Sequence, residues 1–319
     1  MDKQAKIYIA GQGLVGSALM RALQAEGYTN LITRSFAELD LRNQAAVHDF
    51  FNQEKPEYVF LAAAKVGGIK ANNDFPASFI YDNLMIEANI IHASYTNGVK
   101  KLLFLGSSCI YPRNCPQPIQ EEYLMTDELE KTNEPYALAK IAGILLCKSY
   151  NRQYGTKFIS CMPTNLYGPH DNFDFESSHV IPALIAKIHA AKEENKPSVS
   201  LWGTGKALRE FLYVDDLAQA CLFLMNSYEE SGHINIGTGK DITIAELASL
   251  IKEIVGYAGE ILFNINTLDG TPRKVLNVDK ISQLGWTAKT SLKNGLKEAY
   301  FWYLAHKVVP EKSYKQARV

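Results

Sequence analysis

Short apolar runs alternate along the chain with longer segments in which apolar residues recur every three or four positions. The runs at 6–10, 30–33, 58–62, 101–105, 158–162 and 233–236 are nearly continuous and rich in Ile, Leu and Phe. They predict strands buried on both faces, because a strand with one wet face alternates apolar and polar residues. Stretches 15–26, 45–53, 79–96, 136–154 and 215–228 carry the helical period instead and predict amphipathic helices. Strands of that kind, separated by such helices, imply an α/β fold with a doubly wound parallel sheet. Folds of this type collect ligands at the carboxyl ends of the strands.

Beyond about residue 169 the texture changes to a polar stretch, a Lys/Glu/Pro segment and LWGTGKALREFLYVDD. A helix is expected over 241–257 and a turn over 268–273, where the sequence reads LDGTPR. These pieces predict a smaller, discontinuous C-terminal substrate domain formed by about 169–208 with 238–319. Residues 1–168 with about 209–237 then form the nucleotide-binding domain. The polar tail 311–319 is expected to fray.

Composition narrows the function. With 319 residues, 47% apolar and 21% charged, the chain can bury a full core. Thirty-three Lys and Arg against 34 Asp and Glu leave a formal charge of −1, so no bulk basic surface exists for nucleic acid or an anionic membrane. Anionic partners would have to be held by a few placed cations. The N-terminus lacks a leader pattern, and no run approaches the roughly 18 apolar residues of a membrane span. The five cysteines form no CxxC and no metal-ligand spacing, so free thiols, a cytoplasmic location and no metal are expected.

The first strand runs into Gly11-Gln12-Gly13-Leu14-Val15-Gly16 and then a helix. Glycines there permit a tight turn and let a pyrophosphate sit on the helix N-terminus, as in Rossmann-type dinucleotide sites. About twenty residues on, where an NAD site places an acid, stands Thr33-Arg34-Ser35. An arginine among hydroxyls suits the 2′-phosphate of NADP(H); the alternative is a solvated charge at a strand end. Tyr136 and Lys140 lie four apart on one helix face, so the ammonium can favour ionisation of the phenol and fit it for acid–base work. Upstream, Leu105-Gly106-Ser107-Ser108-Cys109 ends a strand in hydroxyls that can bond a substrate carbonyl.

Glycine turn, serine-bearing fourth strand and Tyr/Lys helix together resemble the extended short-chain dehydrogenase/reductase family. That resemblance implies Ser107, Tyr136 and Lys140 as the catalytic set. It places the cofactor against Gly11, Gly13, Leu14, Val15, Gly16, Arg34, Asp40, Leu41, Ala62, Ala63, Ala64, Leu105 and Gly106. Further along it adds Pro163, Thr164, Asn165, Leu166 and His179. The family usually shows GxxGxxG, so the turn here is one residue short, and no basic residue of that loop is carried over.

Longer segments narrow the match. AAAKVGGIKANN (62–73), LGSSCIYPRNCPQPI (105–119), TNEPYALAKIAG (132–143), MPTNLYGPHDNF (162–173), SHVIPAL (178–184) and DGTPRK (269–274) are similar to the GDP-L-fucose synthase family. The resemblance implies 3,5-epimerisation and NADPH-dependent C4 reduction of GDP-4-keto-6-deoxy-D-mannose. Cys109 and His179 would be the epimerisation base and acid. Ser107, Ser108, Cys109, Tyr136, Asn165, His179, Lys187, Trp202, Arg209 and Asp269 would meet the GDP-sugar, and a homodimer is implied. Open alternatives are a C4-reductase acting on a related GDP-4-keto-6-deoxy sugar such as a heptose, an NAD-retaining 4-epimerase, and a non-catalytic nucleotide sensor.

Overall fold

The computed structural model describes residues 1–175, 177–264 and 271–306. Asp269 and the tail 311–319 lie outside the described residues. In chain order the first elements are β1 (Ile7–Ala10), α1 (Leu14–Ala25), β2 (Leu31–Ile32), α2 (Gln44–Glu54), β3 (Tyr58–Leu61), α3 (Ile69–Asp74), α4 (Pro76–Thr96), β4 (Lys101–Leu105), α5 (Glu134–Tyr154) and β5 (Phe158–Pro163). There follow β6 (Asn165–Tyr167), α6 (Val180–Glu193), β7 (Ser198–Trp202), β8 (Leu208–Tyr213), α7 (Val214–Ser227) and β9 (His233–Ile236). The last are β10 (Asp241–Thr243), α8 (Ile244–Val255), β11 (Glu260–Asn264), β12 (Arg273–Lys274), α9 (Asp279–Gln283) and α10 (Leu292–Ala305).

The six apolar runs pair in one parallel sheet of order β2-β1-β3-β4-β5-β9. One face buries Ile7, Ile9, Leu103 and Ile159 beneath α1 and α7; the other buries Tyr8, Val59, Leu102 and Phe104 beneath α2, α4 and α5. Each such side chain taken fully from water contributes roughly 1.5–3 kcal/mol, which is why these strands are mostly apolar, with Lys101, Ser160, His233 and Asn235 as buried polar exceptions. Strand order reverses direction between β1 and β3, and that switch point opens a crevice at the strands' carboxyl ends. This is the Rossmann-type doubly wound sheet expected from the hydrophobic pattern.

A third core gathers Tyr167, Ile185, Phe211, Leu247, Ile251 and Leu296 between α6, α8, α10 and short strands. Here β8 pairs antiparallel with β10 and parallel with β6 and β12, while β7 pairs with β11. The expected helix over 241–257 is corrected at its start. Residues Asp241–Thr243 form β10, and Thr243 then caps α8 through a reciprocal bond pair with Glu246. Glu210 on β8, fully buried, accepts hydrogen bonds from the backbone N–H groups of Thr238, Gly239 and Leu276. It thereby ties the smaller assembly to the end of β9. Among the described residues no helix is long and apolar enough to cross a membrane.

Candidate active site

Gly11 leaves β1 with φ of +115°, a conformation an L side chain rarely adopts. A Cβ on Gly16 would lie 1.9 Å from the carbonyl oxygen of Gly11, so this turn closes only on glycine. Gly13 precedes α1 without a side-chain cap, which leaves the amides of Leu14, Val15 and Gly16 facing the crevice for an anion. Ala62, Ala63 and Ala64 follow β3 alongside, with the Ala62 N–H bonded to the Ala10 carbonyl at 3.0 Å. An uncapped helix start, a glycine cradle and small neighbouring side chains fit a dinucleotide's pyrophosphate.

The region beyond β2 is more crowded with charge than the sequence implies. Arg34 lies over the Phe50 ring and pairs with Glu54 at 2.7 Å, so its guanidinium is already partnered. Asp40 is gripped by Arg42, whose Nη2 approaches at 2.8 Å, and that guanidinium holds the carboxyl below its usual range. Arg42 and Lys65 also pair with Asp82 on α4. Neither Arg42 nor Lys65 stood out in the sequence, because nothing local marks them. Leu41 packs half-buried on the second core.

At the end of β4 the chain turns through Gly106, where a Cβ would meet Met162 Sδ at 2.3 Å. Ser107 then caps a single 3-10 turn, Ser108–Ile110. Its Oγ accepts the Cys109 thiol at 3.1 Å and the Cys109 N–H at 3.4 Å. Ser108 is buried, whereas Ser107 and Cys109 are half-buried; a cavity of about 40 Å³ opens beside Cys109, lined also by Arg113, Glu130 and Lys274. All five cysteines are free, with Cys147, Cys161 and Cys221 buried.

From α5, Tyr136 brings its phenol to Ser107. Burial drives the phenol's pKa well above its ordinary value, the charges of Cys109 and Glu87 add to that rise, and the Ser107 hydrogen bond opposes it. Lys140, 2% exposed, donates to the Leu105 carbonyl at 3.0 Å, and its ammonium lies 5.9 Å from the Tyr136 ring centroid. Behind it, also 3.0 Å from the ammonium, sits the buried carboxylate of Glu87. That residue gave no signal in the sequence, since a lone acid in a helix ordinarily faces water.

His179 opens α6 with extended backbone, and its imidazole makes no capping bond. His179 as a residue is exposed, though its imidazole is partly screened from water by neighbouring protein. That screening, followed by the Lys274 charge, pushes its pKa down. The loop after β3 supports this segment: Gly68 donates to the Ser177 carbonyl at 3.2 Å, and a Cβ on Gly68 would stand 3.1 Å from the Ser178 carbonyl. Lys274, on β12, is a residue the sequence reading assigned no role. Lost hydration lowers its pKa, while Cys109 raises it and Arg209 opposes that, so this ammonium lies electrostatically between the two.

Pro163 closes β5; Thr164 and Asn165 both bond the Glu210 carbonyl, and Leu166 is half-buried. Lys187 on α6 stacks its ammonium 4.8 Å from the Trp202 ring, which is 59% exposed at the end of β7. Arg209 on β8 donates to the Leu208 carbonyl. Ser107, Cys109 and Tyr136 are thus joined directly, and the Lys140 ammonium stands over the Tyr136 ring. His179 and Arg209 are linked to them through Lys274, and Lys187 with Trp202 forms a separate patch. A larger groove of about 820 Å³, bordered by Thr238, Lys240, Trp286 and Lys289, contains none of these residues.

Comparison with known proteins gives a consistent picture. Residues 7–237 match the model of the NAD dependent epimerase/dehydratase family. The chain is 58% identical over 304 residues to GDP-L-fucose synthase 1 of Arabidopsis thaliana, covering 95% of this chain and 94% of the relative. It is 54% identical over 314 residues to GDP-L-fucose synthase of Escherichia coli (strain K12), covering 95% and 98%. A solved structure of GDP-mannoheptose C4 reductase from Campylobacter jejuni with NADP bound superposes with a TM-score of 0.89. Its sequence is 46% identical, and the match covers 95% of this chain and 99% of that one.

Proposed function

The chain belongs to the NAD dependent epimerase/dehydratase family, and from that premise we propose that it converts GDP-4-keto-6-deoxy-D-mannose to GDP-L-fucose by 3,5-epimerisation and NADPH-dependent C4 reduction. The observation that carries this reading is the 3.1 Å contact between the Cys109 thiol and the Ser107 hydroxyl. A plain ketone reductase needs a serine, a tyrosine and a lysine. A thiol on the same hydroxyl adds the base that epimerisation requires.

The chemistry follows from the C4 ketone. Its carbonyl acidifies the hydrogens at C3 and C5, and removing either puts negative charge on the C4 oxygen. Ser107 and Tyr136 supply the two hydroxyl donors for that oxygen. In its resting form the Ser107 oxygen accepts from Cys109, which leaves its own hydrogen for the phenol or for a ketone oxygen. Cys109 takes the carbon-bound proton, and His179 returns one to the opposite face, inverting the centre. Reduction uses the same oxygen. NADPH, when bound, supplies hydride to C4, while Tyr136 delivers the proton to the oxygen.

The residues that would hold the cofactor are the α1 amides with Gly11 and Gly16, Ala62–64, Lys140 and the 163–166 segment. Arg34 would take the adenosine phosphate only by exchanging Glu54 for it. Arg209 is best suited to the GDP pyrophosphate, since its planar fork matches phosphate oxygens. Lys187 and Trp202, a separate patch, offer a charge and a flat wall for another part of the GDP-sugar.

The higher identity to the fucose synthases than to the heptose reductase favours the hexose substrate. Kinetics with GDP-4-keto-6-deoxy-D-mannose and with the matching heptose, side by side, test this. NADPH oxidation at least tenfold faster, as kcat/KM, is expected with the hexose. No oxidation with either sugar would sink the reading.

The proposal extends to a cytoplasmic homodimer. Five free thiols fit a reducing compartment. On α4 and α5, Tyr81, Leu138, Leu145 and Tyr154 are exposed by 61%, 44%, 43% and 47%, an apolar face of the kind a twofold contact would cover. Leu145→Glu is expected to give a monomer in sedimentation. An unchanged dimer, or a monomeric wild type, would remove this part.

A further inference from the structure

We propose that Glu87 is a positioning residue for C4 reduction: its buried carboxylate, seated behind Lys140, holds the ammonium in place and offsets its charge beside the Tyr136 phenol. The inference rests on the reduction assigned above. Glu87 is 1% exposed on α4, and Lys140, 2% exposed on α5, is 3.0 Å from its Oε1. Neither carboxylate oxygen receives a well-directed hydrogen bond from any other donor among the described residues. The packing reserves room for it. A Cβ on Gly143 would stand 2.8 Å from Glu87 Oε2 and 2.4 Å from the Phe104 ring, so α5 passes the carboxylate only as glycine.

Stability does not account for such a group. Burying a second charge beside a lysine costs desolvation that an apolar side chain of similar volume would avoid. What the carboxylate changes is the charge around the phenol. The Lys140 ammonium, 5.9 Å from the Tyr136 ring, favours the phenolate; the Glu87 charge opposes it. At an effective dielectric near 20, a charge at that distance moves a phenol by about two pH units. The titratable groups facing Glu87 are Lys140, Tyr136 and Cys147, all from α5. Phe104 of β4 is uncharged. Arg42 and Lys65, which reach α4 from the connections before α2 and after β3, are engaged with Asp82, and Lys70 of α3 pairs with Asp74. Burial lifts the Glu87 pKa to about 7, against the pull of Lys140, so its charge is present mainly above neutrality.

The test is the pH profile of NADPH oxidation with GDP-4-keto-6-deoxy-D-mannose for wild type and Glu87→Gln. The two profiles should agree wherever the phenol stays protonated in both proteins and separate only on the alkaline limb, where Glu87 is charged. The variant should lose activity on the alkaline side about one to two pH units earlier, because its phenol ionises against an unopposed ammonium. A loss uniform across pH, or an unmoved alkaline limb, would overturn the proposal and mark Glu87 as structural. Glu87→Asp, with the charge withdrawn by one methylene, should shift the limb less in the same direction. Wild-type protein labelled at glutamate Cδ gives a readout that needs neither variant nor substrate. One carboxyl resonance should titrate near neutrality, and its absence would refute the idea. A wild type that oxidises no NADPH would instead strike at the assigned reaction.

Discussion

Replacing Ser107 by alanine removes a hydroxyl that the proposed chemistry uses in both half-reactions. That oxygen accepts from the Cys109 thiol and N–H and bonds the Tyr136 phenol, so its loss affects base, acid and oxyanion donor together. In the resting enzyme the cost is small. One neutral hydrogen bond at a half-buried thiol is worth about 0.5–1.5 kcal/mol, and a chain of this size should lose only about 2 °C in Tm. In the transition state the cost is larger. Deleting one donor to a developing oxyanion typically removes 10²–10³-fold in rate, about 2.7–4 kcal/mol. Enolate formation and hydride addition both put negative charge on the C4 oxygen, so both should fall by similar factors. The assay runs the two together: NADPH absorbance for reduction, and mass spectrometry of deuterium uptake for epimerisation. If reduction fell a hundredfold while deuterium uptake held, the two steps would not share this oxygen site.

Other substitutions probe separate parts of the site. Gly16→Ala puts a methyl group 1.9 Å from the Gly11 carbonyl, so the turn must open; NADPH affinity by fluorescence titration should drop at least tenfold, with Tm lowered by the strain. Unchanged affinity would remove the turn from the cofactor site. Lys274→Met removes one of the two influences that lower the His179 pKa, the other being burial. The imidazole acts as an acid only while protonated, so deuterium uptake, lost as pH rises through that pKa, should persist to higher pH in the variant. A limb that stays in place would show that Lys274 does not act on His179.

The large sheet was readable because its strands are buried on both faces, which favours mostly apolar runs; 101–105 and 233–236 match β4 and β9 to the residue. The smaller assembly was not. Its strands β6, β7, β10 and β12 span two to five residues and are half-exposed, so they carry no period. The start of α8 was legible in principle, since Thr243 and Glu246 spell a capping box; the apolar period beyond it drew attention away from Asp241–Thr243. In the site, Ser107, Tyr136 and Lys140 stood out because helix spacing and a strand end place them. Glu87 and Lys274 meet the site through neighbours distant in sequence, and no local pattern encodes that. Arg34 was read as an open phosphate ligand, but its partner Glu54 lies twenty residues away, at the end of the next helix.

A single-turnover reaction of the wild-type protein with GDP-4-keto-6-deoxy-D-mannose and NADPH in deuterated water tests the shared C4-oxygen site most directly. NMR of the product should show deuterium at C3 and C5, ordinary hydrogen delivered to C4, and the configuration of L-fucose. NADPH consumed with no deuterium at C3 or C5 would contradict the account, reducing the protein to a ketone reductase whose thiol at Cys109 is only a packing residue.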